Sequence, residues 1–464
     1  MKKAIVFVAL SMAASIATSQ TATDPTERAA YRRAVEAINW GMPAVNLDLM
    51  LQAGIAAGAR PNQIVYWSRL PDWKIQTLTP NPDVIYLKPF FNTKEVGPMV
   101  LEIPPAGDGS ITGTIMDGWQ SALEDVGPAG ADKGKGGKYL ILPPDHTGQV
   151  PAGYIVLSSK TYQGYALLRS ILKSGSDADI AQAVAYARRV KLYPLSQAGN
   201  PPATTFVDVI DVVYDSTIPF DLRFFQSLDR VVQIEPWLAR DEVMIDMLKS
   251  IGIEKGKPFA PDSKTQESLN AAAREAHAWL DARYEQGFPS FYVGGQWTLP
   301  SSAELTQTMG TFYEKKDGYS LDARGLADYY AYSTIKHIGA GQYYLLTTKA
   351  KGGRALDGAR DYRLNVPADA PVNQYWSATV YDRATHALVR DVSRPSRSSQ
   401  SPGLLKESDG SVNVYFGPKA PAGKEPNWVP TNANGKFEVL FRFYGPTKPL
   451  FDKTWKLPDI EEVK

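Results

Sequence analysis

The sequence predicts an α+β protein in which two β-rich regions flank a helical middle. Short apolar runs broken by glycine and proline occupy residues 76–157, and similar runs return from residue 362 onwards. Between these regions, apolar residues recur with helical spacing. Strands that follow one another without intervening helices are typical of antiparallel sheets, because parallel strands need long crossover connections. The order of elements therefore indicates two antiparallel β regions rather than alternating βα units.

The first 19 residues are typical of a cleaved signal peptide. Lys2 and Lys3 precede an apolar run that continues to about Ala17, and Ala17-Thr18-Ser19 supplies the small residues of a cleavage site. A retained membrane anchor is the alternative, but no Cys follows the site for lipid attachment, and no later stretch reaches about 18 uninterrupted apolar residues. We therefore expect a periplasmic or secreted protein, cleaved near Ser19, with no membrane span in its mature chain.

Residues 20–160 are expected to form the first domain, which begins with helices. Asp24 can cap a helix, Pro25 suits its first turn, and the apolar residues that follow recur with helical spacing. We expect a turn at Gly41 and a second helix over Met42–Ala57. The strands of this domain are predicted in "VIYLKPFF", "MVLEIP", "SITGTIMDGW", "KYLILPP" and "GYIVLSS".

Residues 161–348 are expected to form a helical middle region, and residues 349–464 a second β domain. Helical periods cover Ile180–Val190, Leu238–Ile251, Thr265–Glu285 and Leu321–Ile338. The glycine-rich segment 349–361 is the best candidate for a boundary. After it, strands are predicted in "YRLNVP", "QYWSATVYD", "ALVRDV", "SVNVYFG" and "FEVLFRFYG".

Composition excludes several classes of partner and chemistry. With 50 Lys and Arg against 49 Asp and Glu, no basic excess favours nucleic acid or an anionic membrane. The absence of cysteine excludes disulfides, cysteine nucleophiles, cysteine-ligated metal sites and haem attached through thioethers. The four histidines share no helical or hairpin spacing, so no metal site is predicted. Other cofactors stay open, and a homo-oligomer is compatible with the sequence.

The stretch "ADKGKGGKYLILPP" at residues 131–144 interleaves three lysines with three glycines. A phosphate-binding P-loop needs a Ser or Thr after its Gly-Lys pair and a helix next, whereas here a strand is predicted to follow. The nucleotide interpretation is therefore rejected. Two interpretations remain: Lys135 and Lys138 contact an anionic group of a substrate, or the segment is a solvated β-turn.

Two acids, Asp83 and Asp117, stand at predicted strand ends, where a rigid scaffold can hold substrate-facing groups. Amide and aromatic residues accompany them as candidate binding residues: Asn81, Tyr86, Trp119 and Gln120. Two carboxyl groups at a suitable separation can hydrolyse a glycosidic bond, so Asp83 and Asp117 are the candidate catalytic residues. The alternative is that both are turn residues that accept hydrogen bonds from backbone amides, as Asp beside Pro or Gly often does.

Aromatic and arginine residues are frequent in the C-terminal third of the chain. Trp376, Trp428 and Arg442 are candidate substrate-binding residues, because aromatic faces stack on sugars and guanidinium groups donate to hydroxyls. The alternative is that these large side chains fill the core and interfaces of a β-sandwich. The sequence leaves both interpretations open.

Several long motifs resemble a family of exported bacterial proteins that pair the domains of unknown function DUF1254 and DUF1214. "TPNPDVIY" at 79–86 and "DVGPAGADKGKGGKYLILPP" at 125–144 are similar to the first domain. "YWSATVYD" at 375–382, "ESDGSVNVYFGPKAP" at 407–421 and "FRFYGPTKPLFDKTWKLPDI" at 441–460 are similar to the second. The resemblance implies a β-rich N-terminal domain, a helical middle segment and a C-terminal antiparallel, jelly-roll-like β-sandwich.

The resemblance carries no established reaction, and the chain departs from the family pattern at "SRPSRSSQSP" (393–402), where an Asn-Arg-Tyr-Ser-like run is expected. We predict an exported enzyme, a hydrolase that acts on a polar envelope or environmental substrate such as a glycan. Its site is expected where the two β domains approach each other. The competing hypothesis is a non-catalytic ligand-binding or interaction protein of the cell envelope, in which the same residues bind without turnover.

Overall fold

The structure, a computed structural model, describes residues 24–332, 335–337 and 341–463. The predicted signal peptide therefore lies outside the described residues. The helices within these ranges are α1 (Pro25–Ala56), α2 (Asp177–Ala187), α3 (Leu222–Ile234), α4 (Glu242–Leu248), α5 (Ser263–Gln286), α6 (Ala303–Thr308), α7 (Leu321–Tyr330) and α8 (Lys448–Phe451). None of these helices is both long and apolar enough to cross a lipid bilayer.

The strands of the N-terminal β-rich region form two main sheets. They are β1 (Ile64–Tyr66), β2 (Ile75–Gln76), β3 (Ile85–Asn92), β4 (Met99–Ile103), β5 (Ile111–Asp117), β6 (Ala122–Val126), β7 (Gly137–Leu142), β8 (Ile155–Ser158), β9 (Gln163–Ser170), β10 (Lys191–Pro194), β11 (Phe206–Asp208) and β12 (Tyr214–Asp215). One sheet has the order β11-β1-β3-β9-β5-β6, and the other has the order β10-β4-β7-β8. Within these two sheets the neighbours are antiparallel except β1–β11 and β7–β8.

Side chains alternate between the two faces of the sheet that contains β3, as strand geometry requires. Ile85 and Leu87 of β3 share a core with Leu101 of β4, so one face of this sheet packs on the other sheet. Tyr86 and Lys88 point to the opposite face, which packs on helical side chains instead. The N-terminal domain therefore has one face that does not enter its own sheet-on-sheet core.

The C-terminal strands form a two-sheet sandwich. After a short hairpin of β13 (Glu314–Lys315) and β14 (Gly318–Tyr319), the strands are β15 (Gln342–Thr347), β16 (Tyr362–Val366), β17 (Trp376–Asp382), β18 (Ser396–Ser398), β19 (Val412–Gly417), β20 (Trp428–Pro430), β21 (Phe437–Tyr444) and β22 (Glu461–Glu462). The two sheets have the orders β15-β21-β17-β18 and β20-β19-β16-β22, with β19–β20 parallel and the other pairs antiparallel. The predicted α+β class, with a C-terminal sandwich, is confirmed.

The sandwich also has one face turned away from its own core. Phe441 and Phe443 of β21 point inwards, where they pack with Val414 of the opposite sheet. Arg442 and Tyr444 alternate with these residues and point outwards. In each β domain, therefore, one face of the sheet that contains β3 or β21 packs in the domain's own core. The opposite face of that sheet carries polar and aromatic side chains and lies outside this core.

The helices and both β domains share a further core. Helix α1 packs against α3, α5 and α7, and Val45 of α1, Leu228 of α3 and Leu280 of α5 are buried together. Leu167 of β9 and Leu440 of β21 join the same cluster from the two β domains. This shared core holds the outward faces of the two domains towards each other.

Helix α1 runs through Gly41 without a break, so the prediction of a turn and two helices is wrong. Residues 37–48 are all buried, although Pro43 lies inside the helix. A Cβ on Gly41 would lie 3.0 Å from Cδ1 of Leu228, so the glycine permits close packing of α1 on α3. Packing against several elements stabilises a helix that Gly and Pro would weaken in isolation.

The predicted helical middle region is wrong at both ends. Gln163–Ser170 forms β9 in the interior of the six-stranded sheet, and Gln342–Thr347 forms β15, which pairs with β21 of the sandwich. Helix α7 ends at Tyr330 rather than continuing along the predicted period. The predicted strand "ALVRDV" is also wrong: only Leu388 of this segment pairs with β17, in an isolated bridge to Tyr381, and the strand beside β17 is Ser396–Ser398. Short apolar runs do not distinguish a buried strand from a helical segment.

Candidate functional site

The outward faces of the two β domains meet at one place, which we call the interdomain centre. The N-terminal domain contributes the loop before β3 and residues of β3 and β9, and the sandwich contributes residues on or beside β15, β17, β18 and β21. The interdomain centre is defined by Asn81, Asp83, Tyr86, Lys88, Arg169, Tyr332, Tyr344, Tyr375, Tyr381, Ser396, Arg442 and Tyr444.

Strand register places the principal side chains opposite one another. Tyr86 on β3 pairs with Arg169 on β9, and the guanidinium carbon of Arg169 lies 5.5 Å from the centroid of the Tyr86 ring. In the sandwich, Arg442 on β21 pairs with Tyr344 on β15 and Ser377 on β17. Alternation along the strands therefore collects aromatic and cationic groups on two surfaces that face each other.

The loop before β3 connects the two domains through Asn81. Its side-chain amide donates hydrogen bonds to the hydroxyl of Tyr444 and, at 3.2 Å, to that of Tyr375. The backbone N–H of Asn81 donates to the Tyr86 hydroxyl at 2.8 Å. The Asn81 side-chain oxygen accepts from the backbone N–H of Asp83 at 3.0 Å. These bonds fix the position of Asp83 relative to both domains.

Asp83 is half-buried between the domains and accepts hydrogen bonds from one side chain of the sandwich. The hydroxyl of Ser396 lies 3.2 Å from each carboxyl oxygen. Ser396 lies on β18, which pairs with β17, so this contact joins the loop before β3 to the sandwich. Burial raises the pKa of Asp83 to about 6, against the opposing effects of the Ser396 hydroxyl and the positive charge of Arg442.

Arg442 is buried and uses its donors on neutral oxygen atoms. Its Nη1 donates to Oγ1 of Thr379 at 3.0 Å, and its Nη2 donates to the Tyr381 hydroxyl at 2.6 Å and to the Thr79 carbonyl at 2.9 Å. These three bonds hold the guanidinium group rigidly. Its charge is not neutralised by them, so it acts on the neighbouring Asp83 carboxyl group.

Arg169 differs from Arg442 because its guanidinium group makes no hydrogen bond or ion pair with any residue of the described ranges. Its Nε is buried without a partner, while the side chain as a whole is only half-buried. Such a group is unusual, because buried charges in proteins are normally paired or hydrogen-bonded.

Lys88 is fully buried, with an exposed fraction of 0%. Its Nζ lies 3.3 Å from Sδ of Met50 and makes no ion pair with a carboxylate of the described residues. Three aromatic rings surround it, with centroids 4.7 to 5.7 Å from Nζ: Tyr332, Tyr214 and Trp67. Burial, followed by the charge of Arg169, lowers the pKa of Lys88 to about 7.

Three tyrosines of the interdomain centre, Tyr332, Tyr375 and Tyr444, remain protonated at neutral pH. Burial raises the pKa of Tyr332 and Tyr444 well above the ordinary value, and raises that of Tyr375 as well. Their hydroxyl groups are therefore neutral hydrogen-bond donors, not nucleophiles.

Asp117, the second predicted catalytic acid, is the last residue of β5 and precedes a tight turn. It is 2% exposed, and its Oδ1 accepts hydrogen bonds from the backbone N–H groups of Trp119 and Ser121, both at 2.9 Å. Burial raises the pKa of Asp117, and these backbone hydrogen bonds oppose the effect. This arrangement matches the alternative in which Asp beside Gly is a turn residue, and no hydrogen bond or ion pair within the described ranges joins it to Asp83.

The other predicted residues of this turn face the helices. Trp119 packs on Trp40 of α1, with ring centroids 4.8 Å apart. Gln120 donates to the Pro43 carbonyl at 3.1 Å and accepts from the Tyr165 hydroxyl at 2.7 Å. The turn therefore anchors β5 to helix α1.

Four predicted binding residues lie away from the interdomain centre. Lys135 and Lys138 are exposed at the start of β7. Trp376 stacks on Phe441 at 5.5 Å inside the sandwich core, and Trp428 donates from Nε1 to the Gly417 carbonyl at 2.9 Å. The structure thus brings together Asn81, Asp83, Tyr86 and Arg442 of the predicted set.

Sequence reasoning missed the two most distinctive basic residues, Lys88 and Arg169. The available signal was a single basic residue on the same strand face as a tyrosine: Lys88 stands two residues after Tyr86, and Arg169 stands four after Tyr165. In buried strands such a residue marks a polar face. No group of three or more His, Asp or Glu side chains suited to a metal ion occurs among the residues that the structure describes.

The fold is that of an α+β protein whose two β domains meet at a shared polar interface, the interdomain centre. Two family models match the chain: "Protein of unknown function (DUF1254)" over residues 61–194 and "Protein of unknown function (DUF1214)" over residues 341–448. The chain therefore belongs to the family of proteins that pair these two domains, as the motif resemblance predicted. The two models cover the β domains that supply the two sides of the interdomain centre.

Comparison with one solved structure supports the fold. A crystal structure of the VPA0106 protein from Vibrio parahaemolyticus has a TM-score of 0.57 and 19% sequence identity, and the match covers 94% of this chain and 100% of that one. A crystal structure of a Burkholderia cenocepacia protein has a TM-score of 0.41 and 12% identity, covering 95% of this chain and 94% of that one. The comparison with curated proteins gives no match.

Proposed function

We propose that the protein is an exported enzyme, a hydrolase of polar substrates, with the interdomain centre as its active site. The observation that carries this proposal is Asp83, a carboxyl group with a pKa of about 6 that lies among hydroxyl groups and cations. A group with such a pKa is present in both protonation states near neutral pH, as proton transfer requires. Shifts of this kind are concentrated at functional sites.

In the proposed reaction, Asp83 is the general base. Its carboxylate takes a proton from a water molecule while the water oxygen forms a bond to the electrophilic carbon of the substrate. The protonated Asp83 then returns that proton to the leaving group as its bond to the carbon breaks, so the enzyme is regenerated. The tyrosine hydroxyls are positioned to donate hydrogen bonds to negative charge that develops on the substrate, and the positive charge of Arg442 stabilises that negative charge through space.

This set of groups favours an ester or amide bond over a glycosidic bond. Hydrolysis of an acyl group needs one general base and hydrogen-bond donors for the developing oxyanion. Hydrolysis of a glycosidic bond ordinarily needs two carboxyl groups on opposite sides of the bond. Because Asp117 accepts two backbone hydrogen bonds in its turn, we assign the catalytic role to Asp83 and a structural role to Asp117.

The proposal is tested by turnover of chromogenic esters, amides and glycosides by the parent protein, Asp83→Asn and Asp317→Asn. Asp317 is exposed and lies outside the interdomain centre, so Asp317→Asn is the matched control. We expect Asp83→Asn to lower kcat/KM by about 10²–10⁴-fold and Asp317→Asn to leave it unchanged. In the parent, kcat/KM should rise with pH through about 6, because a general base acts when deprotonated.

Equal turnover by Asp83→Asn and the parent would overturn the role of Asp83. A parent protein that binds ligands saturably and hydrolyses none of the panel would support the ligand-binding alternative. Export is a separate part of the proposal, and it rests on the basic and apolar pattern of residues 1–19. N-terminal sequencing of protein recovered from an expressing bacterium should show cleavage near Ser19, and an intact N-terminus in the cytosolic fraction would contradict export.

A further inference from the structure

We infer that the substrate of the interdomain centre carries an oxyanion, a carboxylate or a phosphate group, and that Arg169 binds it. The inference rests on the proposed function, because it names the chemical class of ligand for the same site. Three basic side chains belong to the interdomain centre, Lys88, Arg169 and Arg442, against one acid, Asp83. Of the three, Arg442 opposes the rise in the pKa of Asp83.

The two arginines differ in whether their N–H donors have hydrogen-bond partners. Arg442 donates three hydrogen bonds to oxygen atoms of the protein, so its donors are engaged. Arg169 donates none within the described ranges, and its Nε is buried without a partner. A guanidinium group has five N–H donors in a fixed plane. The N–H donors of Arg169 are therefore free to bind acceptor atoms of a ligand.

The surroundings of Arg169 determine which kind of ligand fits. The guanidinium carbon of Arg169 lies 5.5 Å from the centroid of the Tyr86 ring. Three further tyrosines are close enough to interact electrostatically with Arg169: Tyr344, Tyr444 and Tyr332. A neutral hydroxyl ligand would leave the charge of Arg169 unbalanced. A planar carboxylate or a phosphate accepts two parallel hydrogen bonds from the guanidinium edge and also neutralises its charge.

Lys88 strengthens the preference for an anion. It lies close enough to Arg169 for the arginine charge to act on it, and it is enclosed by Met50 and three aromatic rings rather than by a carboxylate. Burial and the charge of Arg169 disfavour protonation of Lys88, so Lys88 is only partly charged near neutral pH, and a bound anion would stabilise the charged forms of both groups. Strands β3 and β9 thus place two basic groups, neither with a carboxylate partner among the described residues, on one face of the centre.

The inference is tested by isothermal titration calorimetry with three probes: inorganic phosphate, malonate and, as a neutral comparison, glycerol. Proteins to be compared are the parent, Asp83→Asn, Arg169→Gln, Arg169→Lys and Arg60→Gln. Arg60 is exposed and lies outside the centre, so its variant controls for general loss of positive charge. The two anions separate a phosphate from a carboxylate ligand, and all titrations use the same ionic strength because surface charges respond to salt.

We expect the parent to bind one of the two anions saturably at one site per chain, and not glycerol. Arg169→Gln should weaken that binding at least about tenfold, since a charge-assisted bidentate contact is lost. Arg169→Lys keeps the positive charge but lacks the two parallel N–H donors, so its affinity should lie between those of the parent and Arg169→Gln. It also provides a test if Arg169→Gln does not fold. Arg60→Gln should match the parent.

No saturable binding of either anion by the parent, or equal binding by the folded Arg169 variants, would overturn the inference. Asp83→Asn separates this inference from the proposed function. Retained anion binding with lost turnover supports both. If Asp83→Asn keeps the parent's turnover while anion binding still depends on Arg169, the catalytic proposal fails and the binding inference stands.

Discussion

The Asp83 loop and the Asp117 turn look alike in sequence but use their carboxyl groups differently. Asp83 follows Pro82 and Asp117 precedes Gly118, and both acids have aromatic residues nearby in the sequence. The carboxyl group of Asp117 accepts two backbone hydrogen bonds within its own turn. The carboxyl group of Asp83 accepts from a single hydroxyl, that of Ser396, which comes from the other β domain.

A structural acid and a reactive acid differ in the groups that their carboxyl oxygens satisfy. A carboxyl group that satisfies local backbone amides is part of the fold, because removing it leaves those amides without acceptors. A carboxyl group that is buried with few donors keeps a raised pKa and remains available to a ligand.

Replacing each aspartate by alanine should affect stability very differently. Asp117→Ala leaves the buried N–H groups of Trp119 and Ser121 unsatisfied, so the free energy of unfolding should fall by roughly 2–4 kcal/mol. Asp83→Ala removes a half-buried charge and one hydroxyl contact, so the change should stay below about 1 kcal/mol at pH 7.5. Guanidinium chloride denaturation measures both values, and equal losses would remove the contrast.

The pH dependence of stability should identify Asp83 as the destabilised acid. Burial raises its folded pKa above the unfolded value, so its stabilising contribution is fully present below about pH 4 and is lost as pH rises through 6. Between pH 4 and 7, the free energy of unfolding of the parent should therefore fall by roughly 2 kcal/mol relative to Asp83→Asn. A difference between the two proteins that does not change with pH would contradict the raised pKa.

The hydrogen bonds that place the Asp83 loop should have a smaller effect. Tyr444→Phe removes one acceptor of the Asn81 amide, so the free energy of unfolding should fall by about 1 kcal/mol. Tyr415 is half-buried and lies on β19 of the outer sheet, so Tyr415→Phe is the matched control and should change stability by less than 0.5 kcal/mol or so. Equal effects of the two substitutions would argue against a positioning role for Tyr444.

The exposed lysines of the turn before β7 should have the smallest effect. Lys135→Gln and Lys138→Gln should each change the free energy of unfolding by less than about 0.5 kcal/mol and leave anion binding at the interdomain centre unchanged. Thermal denaturation and the calorimetric titration check the two parts. A large loss of anion binding would instead indicate that these lysines bind the anionic substrate.

Local patterns predicted many elements, but tertiary burial decided the exceptions. Helices α2 and α5 and strands β3, β5 and β21 follow their predicted segments closely. Helix α1 persists through Gly41 and Pro43 because it is packed on several sides. Strand β9 reads as part of an apolar helical period, because a strand buried on both faces has no alternation of apolar and polar residues.

The candidate site could be predicted only in part. The loop residues Asn81 and Asp83 were found because an acid and an amide beside proline form a visible cluster. Trp376 lies in the sandwich core, whereas its neighbour Tyr375 accepts a hydrogen bond from Asn81 in the interdomain centre, because one residue of register decides which face a side chain occupies. The partners of Asp83, Ser396 and Arg442, come from more than 300 residues further along the chain. Such a contact depends on how the two domains pack, which no local pattern records.

The most direct test of the central claim is a pH titration of the Asp83 carboxyl group by NMR. Protein labelled with ¹³C at the aspartate carboxyl carbon would be compared with Asp83→Asn to assign the resonance. We predict a titration midpoint near 6, set by burial between the two domains. A midpoint at or below the ordinary aspartate value of about 4 would contradict the account and place Asp83 among the structural acids.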